Sequence, residues 1–95
     1  MDERPTKARY LHLTDEIFKK KDGSPFLGDF VKDDVLFRCR GIEGKLDGGD
    51  SYAIGDGDHL EYWKNGKLHR ENGPAIVSLC EDYKEYWVNG QRVDA

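Results

Sequence analysis

The chain has 95 residues, a length that suits one domain and leaves no room for a second. Hydrophobic residues make up 37% of it and charged residues 36%, but two Trp, five Tyr and four Phe supply enough apolar area to close a core. The formal net charge is −4, and proteins that bind phosphate backbones carry a basic face instead. We therefore expect a folded protein whose partner is not a nucleic acid.

The first residues of the chain, 1–5, are charged rather than apolar, which predicts that no secretory signal is present. No apolar run approaches the roughly 20 residues that a membrane span requires. These observations predict a cytoplasmic protein with no membrane partner. Cys39 and Cys80 are too few for a disulfide framework, so we expect two half-buried thiols in a reducing compartment.

The N-terminal part of the chain, residues 1–36, shows little periodicity. Residues 10–13 alternate apolar and polar side chains, which predicts a short strand. Residues 14–21 have two interpretations that the sequence leaves open. Thr14 is a suitable helix cap, but Asp22-Gly23 shortly afterwards is an equally good hairpin turn.

The C-terminal part contains an internal repeat. Residues 61–66 read Glu-Tyr-Trp-Lys-Asn-Gly, and residues 85–90 read Glu-Tyr-Trp-Val-Asn-Gly, 24 positions later. A weaker echo occurs at a spacing of 22: Gly-Lys-Leu at 44–46 and 66–68, and Ala-Ile at 53–54 and 75–76. Two clear units and one degenerate unit predict a short tandem array.

The Asn-Gly pair at residues 65–66 is the strongest hairpin signal in the sequence, because a type I′ turn needs positive φ at both central positions. A two-residue loop there fixes three facing pairs: Trp63–Leu68 and Glu61–Arg70 on one face, and Tyr62–His69 on the other. The tryptophans are expected to fill the core. The tyrosines have the opposite parity and are expected to line the other face of the sheet.

Residues 62–75 read Tyr-Trp-Lys-Asn-Gly-Lys-Leu-His-Arg-Glu-Asn-Gly-Pro-Ala and resemble the short repeat of bacterial and phage MORN-like proteins, some of which are described as antitoxin repeats. The resemblance covers about residues 59–95. It implies a ribbon-like antiparallel sheet that interacts with proteins or membrane surfaces, and it brings no agreed catalytic residues. Residues 91–94 lack the His-Arg continuation of the repeat, and residues 1–36 resemble no family that we can name.

Signals for catalysis and for metal binding are weak. The three histidines, His12, His59 and His69, do not have metal-ligand spacing. The acidic, glycine-rich segments at residues 47–50 and 56–58 suggest calcium, but their carboxylates do not follow the EF-hand order. We interpret them as solvated turns. The sequence therefore predicts a protein that is not an enzyme, with no catalytic residues, no metal and no cofactor.

The predicted fold is all-β or β-dominated: a small twisted antiparallel meander of tandem hairpins, with at most one short helix near residues 14–21. Residues 1–95 form a single domain in this prediction. Residues 1–36 are its irregular N-terminal capping half, and residues 37–95 are its hairpin-repeat half.

The predicted function is protein binding through an aromatic sheet face or an edge strand, as an inhibitor or immunity-type protein of bacterial, phage or mobile-element origin. A one-sided sheet leaves one face wet, and exposed tyrosines with polar neighbours favour protein interfaces. The candidate binding residues are Tyr62, Lys64, Lys67, His69 and Tyr86. Self-association through the last strand, residues 91–93, belongs to the same hypothesis. The alternative is a small-ligand or carbohydrate-binding domain that uses Tyr62, Tyr86 and Trp87, and a third hypothesis is a small hydrolase.

Overall fold

The computed structural model describes residues 6, 8–14, 16–80 and 82–93 of the chain. Regular structure in these residues consists of nine strands and two single-turn 3-10 helices. The strands are β1 (Gly28–Lys32), β2 (Val35–Cys39), β3 (Ile54–Gly55), β4 (His59–Glu61), β5 (Trp63–Lys64), β6 (Lys67–Leu68), β7 (Ile76–Ser78), β8 (Tyr83–Val88) and β9 (Gln91–Val93). The 3-10 turns span Leu11–Leu13 and Ile42–Gly44.

Seven strands form one antiparallel sheet in the order β1-β2-β3-β4-β7-β8-β9, while β5 and β6 form a separate hairpin. The prediction of a β-dominated antiparallel meander is confirmed. The β5–β6 hairpin interrupts the meander, because the chain leaves the sheet after β4 and returns as β7, which pairs with β4. Within the described part of the chain no α-helix forms, and no helix there is long and apolar enough to cross a membrane.

Within the segment at residues 14–21, residues 16–21 form isolated bridges at Ile17 and Lys19 and lead into a hairpin turn, so the second of its two interpretations is the correct one. Asp15, inside this segment, lies outside the described residues. The backbone N–H of Phe26 donates to the carbonyl of Phe18 at 2.9 Å, which ties the two sides of the turn together. Gly23 in the turn has a φ of 88°, a conformation that glycine adopts without steric cost.

The strand predicted at residues 10–13 is wrong. The backbone N–H groups of Leu13 and Thr14 donate to the carbonyls of Tyr10 and Leu11 at 2.9 and 3.1 Å, which closes a 3-10 turn. An alternation of four residues is too short to distinguish a strand from a local turn, because strands depend on neighbouring strands for their hydrogen bonds.

The β1–β2 hairpin brings an aromatic cluster to one end of the sheet. Asp33 and Asp34 close its turn with φ values of 54° and 64°. Phe30 pairs with Phe37 across the two strands, and their rings stack at a centroid distance of 5.3 Å. Phe18 packs against both rings. The whole of β1 precedes residue 37, so the sheet begins within the part of the chain that the sequence assigned to the irregular half.

Both Asn-Gly turns have the predicted conformation. The φ angles are 47° and 83° in the Asn65-Gly66 turn and 51° and 79° in the Asn89-Gly90 turn, as a type I′ turn requires. In the first hairpin Trp63 faces Leu68, which confirms the register that the sequence predicts. These two turns therefore set the register of the hairpins in the C-terminal half.

The three units of the repeat stack through equivalent contacts. Gly66 donates its backbone N–H to the carbonyl of Leu46 at 2.9 Å, and Gly90 donates to the carbonyl of Leu68 at 2.8 Å. Each Asn-Gly turn thus rests on the unit before it. The equivalent core residues are all at most 1% exposed: Leu46 and Leu68, Ala53 and Ala75, Ile54 and Ile76. The degenerate unit detected by the 22-residue spacing is therefore a structural unit like the others.

The tryptophans of the repeat lie in the core, as their parity predicts. Trp63 is 2% exposed and Trp87 is 8% exposed, whereas Tyr62 and Tyr86 are half-buried. Each indole N–H donates to the carboxylate two residues earlier, at 3.0 Å for Trp63 and 2.9 Å for Trp87. Each of these two units therefore contains a buried pair of indole and carboxylate groups.

Candidate functional site

An open groove with a volume of about 580 Å³ lies beside the β5–β6 hairpin. The loop that follows the first unit contributes Asp47 and residues 49–51 to its lining. The hairpin and its exit contribute residues 62–64 and 69–72. This surface, called the hairpin groove below, exists because the hairpin projects from the main sheet while its Asn-Gly turn stays docked on the preceding unit.

A stacked pair of side chains lines the hairpin groove. The guanidinium of Arg70 lies 3.9 Å from the centroid of the Tyr62 ring, a cation–π arrangement. Arg70 also donates from Nη1 to the carbonyl of Pro74 at 3.1 Å, and its backbone N–H donates to the carbonyl of Trp87. These two hydrogen bonds hold Arg70 in position against the Tyr62 ring.

The predicted pairing of Glu61 with Arg70 is wrong. Glu61 is the last residue of β4 and is fully buried, whereas Arg70 lies beyond the end of β6. The hairpin pairing extends to the predicted Tyr62–His69 pair, where the backbone N–H of His69 donates to the carbonyl of Tyr62 at 2.9 Å. Glu61 instead belongs to β4, which pairs with β3 and β7 of the main sheet. Glu61 therefore lies outside the register of the β5–β6 hairpin.

His69 connects the hairpin groove to the second Asn-Gly turn. Its Nδ1 accepts the backbone N–H of Asn89 at 2.9 Å, and its Nε2 lies 3.3 Å from the carboxylate of Glu71. Because Nδ1 is an acceptor, the neutral ring carries its proton on Nε2, where it faces that carboxylate. The ring is thereby held in one orientation at the edge of the groove.

The structure brings together three of the five candidate binding residues, since Tyr62, Lys64 and His69 all line the hairpin groove. Lys67 does not line the groove. It packs against the second Asn-Gly turn, where a Cβ added at Gly90 would lie 3.6 Å from the Cβ of Lys67. Tyr86 lies on β8, where it pairs with Val93 of β9. The five candidates therefore belong to more than one surface.

Sequence reasoning missed several residues of the hairpin groove. From the sequence, Arg70 is paired with Glu61 on the core face, Asp50 is interpreted as part of a solvated turn, and Ser51 is not singled out. A signal for them was present in the repeat. The 22-residue spacing aligns residues 44–46 with 66–68, so the loops that follow these two segments lie in neighbouring units.

Charges of both signs meet in the hairpin groove. Lys64 and Arg70 supply cations, and Asp50 and Glu71 supply carboxylates. Asp47 is already engaged, because its carboxylate accepts backbone N–H groups inside its own turn and from the hairpin. In the described part of the chain, no group of three or more His, Cys, Asp or Glu side chains is arranged to hold a metal ion.

The acidic turn at residues 56–58 is not simply solvated. The guanidinium of Arg9 lies 2.7 Å from the Asp56 carboxylate and 3.3 Å from that of Asp58, so a protein cation occupies the position considered for calcium. Burial acts to raise the pKa of Asp56, but hydrogen bonds from Arg9 and from the turn outweigh it and hold the pKa below its usual value.

The two cysteines are free thiols in different environments. The prediction that both are half-buried is wrong, because Cys39 is fully buried in β2 and Cys80 is exposed. Burial raises the pKa of the Cys39 thiol to about 11, with a smaller contribution from the negative charge of Asp29. Cys39 is therefore an unreactive core residue at neutral pH.

Comparison with protein-family models, with curated proteins and with solved structures gives no match for this chain. The resemblance of residues 59–95 to MORN-like repeats therefore stays a prediction, and the function is argued from the surface itself.

Proposed function

We propose that this protein is a non-enzymatic protein-binding module and that the hairpin groove is its interaction surface. The observation that carries the proposal is the convergence of Tyr62, Lys64 and His69 with Arg70 in one open groove. Tyrosine and arginine are enriched among the residues that dominate binding energy at protein interfaces. A tyrosine ring held flat by an arginine also loses little side-chain entropy when a partner covers it.

The mixed charge of the groove defines the partner surface. Arg70 and Lys64 favour a partner carboxylate, while Glu71 and Asp50 favour a partner cation or amide. A shallow groove with both signs suits a folded protein surface better than a uniformly charged polymer. In line with the MORN-like resemblance, we place the protein among inhibitor or immunity-type proteins of bacterial, phage or mobile-element origin.

The Tyr62–Arg70 stack argues against the carbohydrate-binding alternative. A sugar ring stacks on an open aromatic face, but the guanidinium occupies one face of Tyr62 at 3.9 Å. Arg70 is also held by its hydrogen bond to the carbonyl of Pro74. A sugar on that face would have to break both contacts, whereas a protein partner can add to the stack without displacing it.

Self-association through an edge strand is part of the proposal, and the sheet has a second edge, β1, besides the predicted edge β9. The sheet ends in β9 on one side and in β1 on the other. β1 is the longer edge, with five residues, and its Val31 is 66% exposed. Val31→Lys should block pairing there, because a charge on an edge strand opposes strand addition. Light scattering at increasing concentration should show association in the unmodified chain and a monomer in the variant, and a monomer in both would contradict this part.

Affinity capture from the native lysate tests the groove. The unmodified chain, the double variant Lys64→Ala/Arg70→Ala and the control Lys84→Ala serve as baits, since Lys84 is exposed on β8 away from the groove. Circular dichroism checks that each bait is folded. We expect the same protein to be captured by the unmodified chain and the control and lost with the double variant.

Equal capture by all three baits would refute the groove as the binding surface. A glycan array run with the unmodified chain, Tyr62→Ala and Tyr86→Ala tests the alternative. Glycan binding that is abolished by Tyr62→Ala but kept by Tyr86→Ala would replace protein binding with carbohydrate binding at the same groove.

A further inference from the structure

Two buried carboxylates occupy equivalent positions in successive units, on the face opposite to Tyr62. Glu61 and Glu85 are 0% and 1% exposed. Each accepts the indole N–H of the tryptophan two residues later. Each also contacts the side chain two residues earlier, His59 Nε2 at 2.8 Å and the Tyr83 hydroxyl at 2.9 Å. The two carboxylates are thereby held rigidly by their own units.

A segment of the N-terminal part lies on these carboxylates. This strap consists of residue 6 and residues 8–13. The backbone N–H groups of Arg9 and Tyr10 donate to Glu61 Oε2 at 2.8 and 3.1 Å. The hydroxyl of Thr6 donates to Glu85 Oε1 at 2.7 Å. Recognition at this row therefore uses one side-chain hydroxyl and two successive backbone N–H groups.

The side chains of the strap make a second set of contacts. The Arg9 guanidinium pairs with Asp56 and Asp58, and the Tyr10 hydroxyl donates to Asp56 at 3.3 Å. The Tyr10 ring meets Phe37 edge-on at a centroid distance of 6.0 Å. In each of the strap's polar contacts with the sheet the partner lies 46 or more residues away in the sequence. Leu11 and Leu13 of the strap also pack against the core, so the strap contacts the sheet with polar and apolar groups alike.

We infer that the carboxylate row is a peptide-binding site, that the strap occupies it in cis, and that its external ligand is a peptide of another protein with the pattern Thr-x-x-Arg-Tyr. In such a peptide the hydroxyl would meet Glu85, the two N–H groups Glu61, and the arginine the Asp56–Asp58 turn. The arginine of the pattern is complementary in charge to the Asp56–Asp58 turn, while the carboxylate row receives neutral N–H and O–H donors. This site is separate from the hairpin groove and does not depend on the function proposed for it.

Occupation in cis sets the expected affinity. A tethered segment is present at an effective concentration of about millimolar, so an external peptide with the same contacts competes poorly against it. Weakening the strap without changing the carboxylate row should therefore raise the affinity for an external peptide. The full chain with Thr6→Ala/Arg9→Ala meets this condition, because it keeps every acceptor of the site.

Fluorescence anisotropy with a labelled peptide of residues 1–14 tests the inference. We expect at least tenfold tighter binding to Thr6→Ala/Arg9→Ala than to the unmodified chain. The control Arg40→Ala removes a comparable guanidinium–carboxylate pair, with Asp29, and should bind like the unmodified chain. A peptide that carries both alanine changes should bind the double variant at least tenfold more weakly. Equal affinities for the two chains, or no binding to either, would overturn the inference.

Hydrogen exchange on the unmodified chain gives a test that does not depend on any variant being folded. If the strap is displaceable, the amides of Arg9 and Tyr10 exchange through a local opening, at least tenfold faster than the buried Ile76 amide of β7. The carboxylate row would then be accessible to the labelled peptide without global unfolding. Strap amides that exchange only with global unfolding would show that the strap is an integral part of the core, and would overturn the inference.

Discussion

Trp63→Phe separates the polar contribution of the buried tryptophan from its apolar one. The substitution keeps an aromatic ring in the core but removes the N–H that donates to Glu61 at 3.0 Å. A hydrogen bond to a buried charged group contributes about 1.5–3 kcal/mol, and the lost ring volume adds about 1 kcal/mol. We therefore expect the free energy of unfolding to fall by about 2.5–4 kcal/mol. Domains of this size have about 5–14 kcal/mol in total, so the variant stays folded.

Urea unfolding followed by circular dichroism measures this change, because it does not rely on the fluorescence of the replaced indole. The control is Tyr62→Phe, one residue away on the opposite face, which keeps the ring under Arg70 and should change stability by less than about 0.5 kcal/mol. A loss below about 1 kcal/mol for Trp63→Phe, or equal losses for the two variants, would refute the assignment of the faces.

Three further predictions concern the turns, the thiols and the acidic turn. Gly66→Val should lower stability in urea more than Gly90→Val, because Gly66 is buried with strands of the array on both sides; small and equal effects would contradict the type I′ turns. A thiol reagent should modify Cys80 in the native chain and Cys39 only after unfolding, and rapid modification of both would contradict the burial described. The pKa of Asp56 is lowered on folding, so its ion pair stabilises the fold above about pH 4, and this contribution is lost as the pH falls through the lowered pKa. Melting temperatures from pH 6 to 2 should therefore fall less steeply for Asp56→Asn, and an unchanged slope would contradict the ion pair.

The C-terminal half of the fold could be predicted from sequence because its signals are local. An Asn-Gly pair fixes the turn type, and the turn fixes which side chains face each other, as the Trp63–Leu68 pair shows. The period of two then assigns the tryptophans to the core and Tyr62 to the other face. Nothing outside the hairpin is needed for these steps.

The remaining features depend on contacts between distant parts of the chain. That β7 returns to pair with β4 depends on where the hairpin leaves the sheet, which no local pattern encodes. The burial of Glu61 depends on donors from His59, Trp63 and the strap together. From the sequence alone a glutamate is expected to be exposed, because burying a carboxylate without hydrogen-bond partners is unfavourable.

The candidate site was predictable in part for the same reason. Parity and the repeat identified Tyr62, Lys64 and His69, which all line the hairpin groove. Lys67 and Tyr86 satisfied the same pattern, but the stacking of the next unit and the pairing of β8 with β9 place them elsewhere. A pattern within one unit therefore selects the face of a residue, while the neighbouring units decide which surface it joins.

Site-specific photocrosslinking tests the hairpin groove most directly. A photoreactive amino acid at position 64 lies in the groove, and the same group at position 84 lies on an exposed part of β8 outside it. If the groove is the partner-binding surface, irradiation in the native lysate yields one dominant protein adduct from position 64, and Arg70→Ala reduces its yield at least tenfold. Equal adducts from both positions, or a dominant adduct only from position 84, would contradict the proposed function.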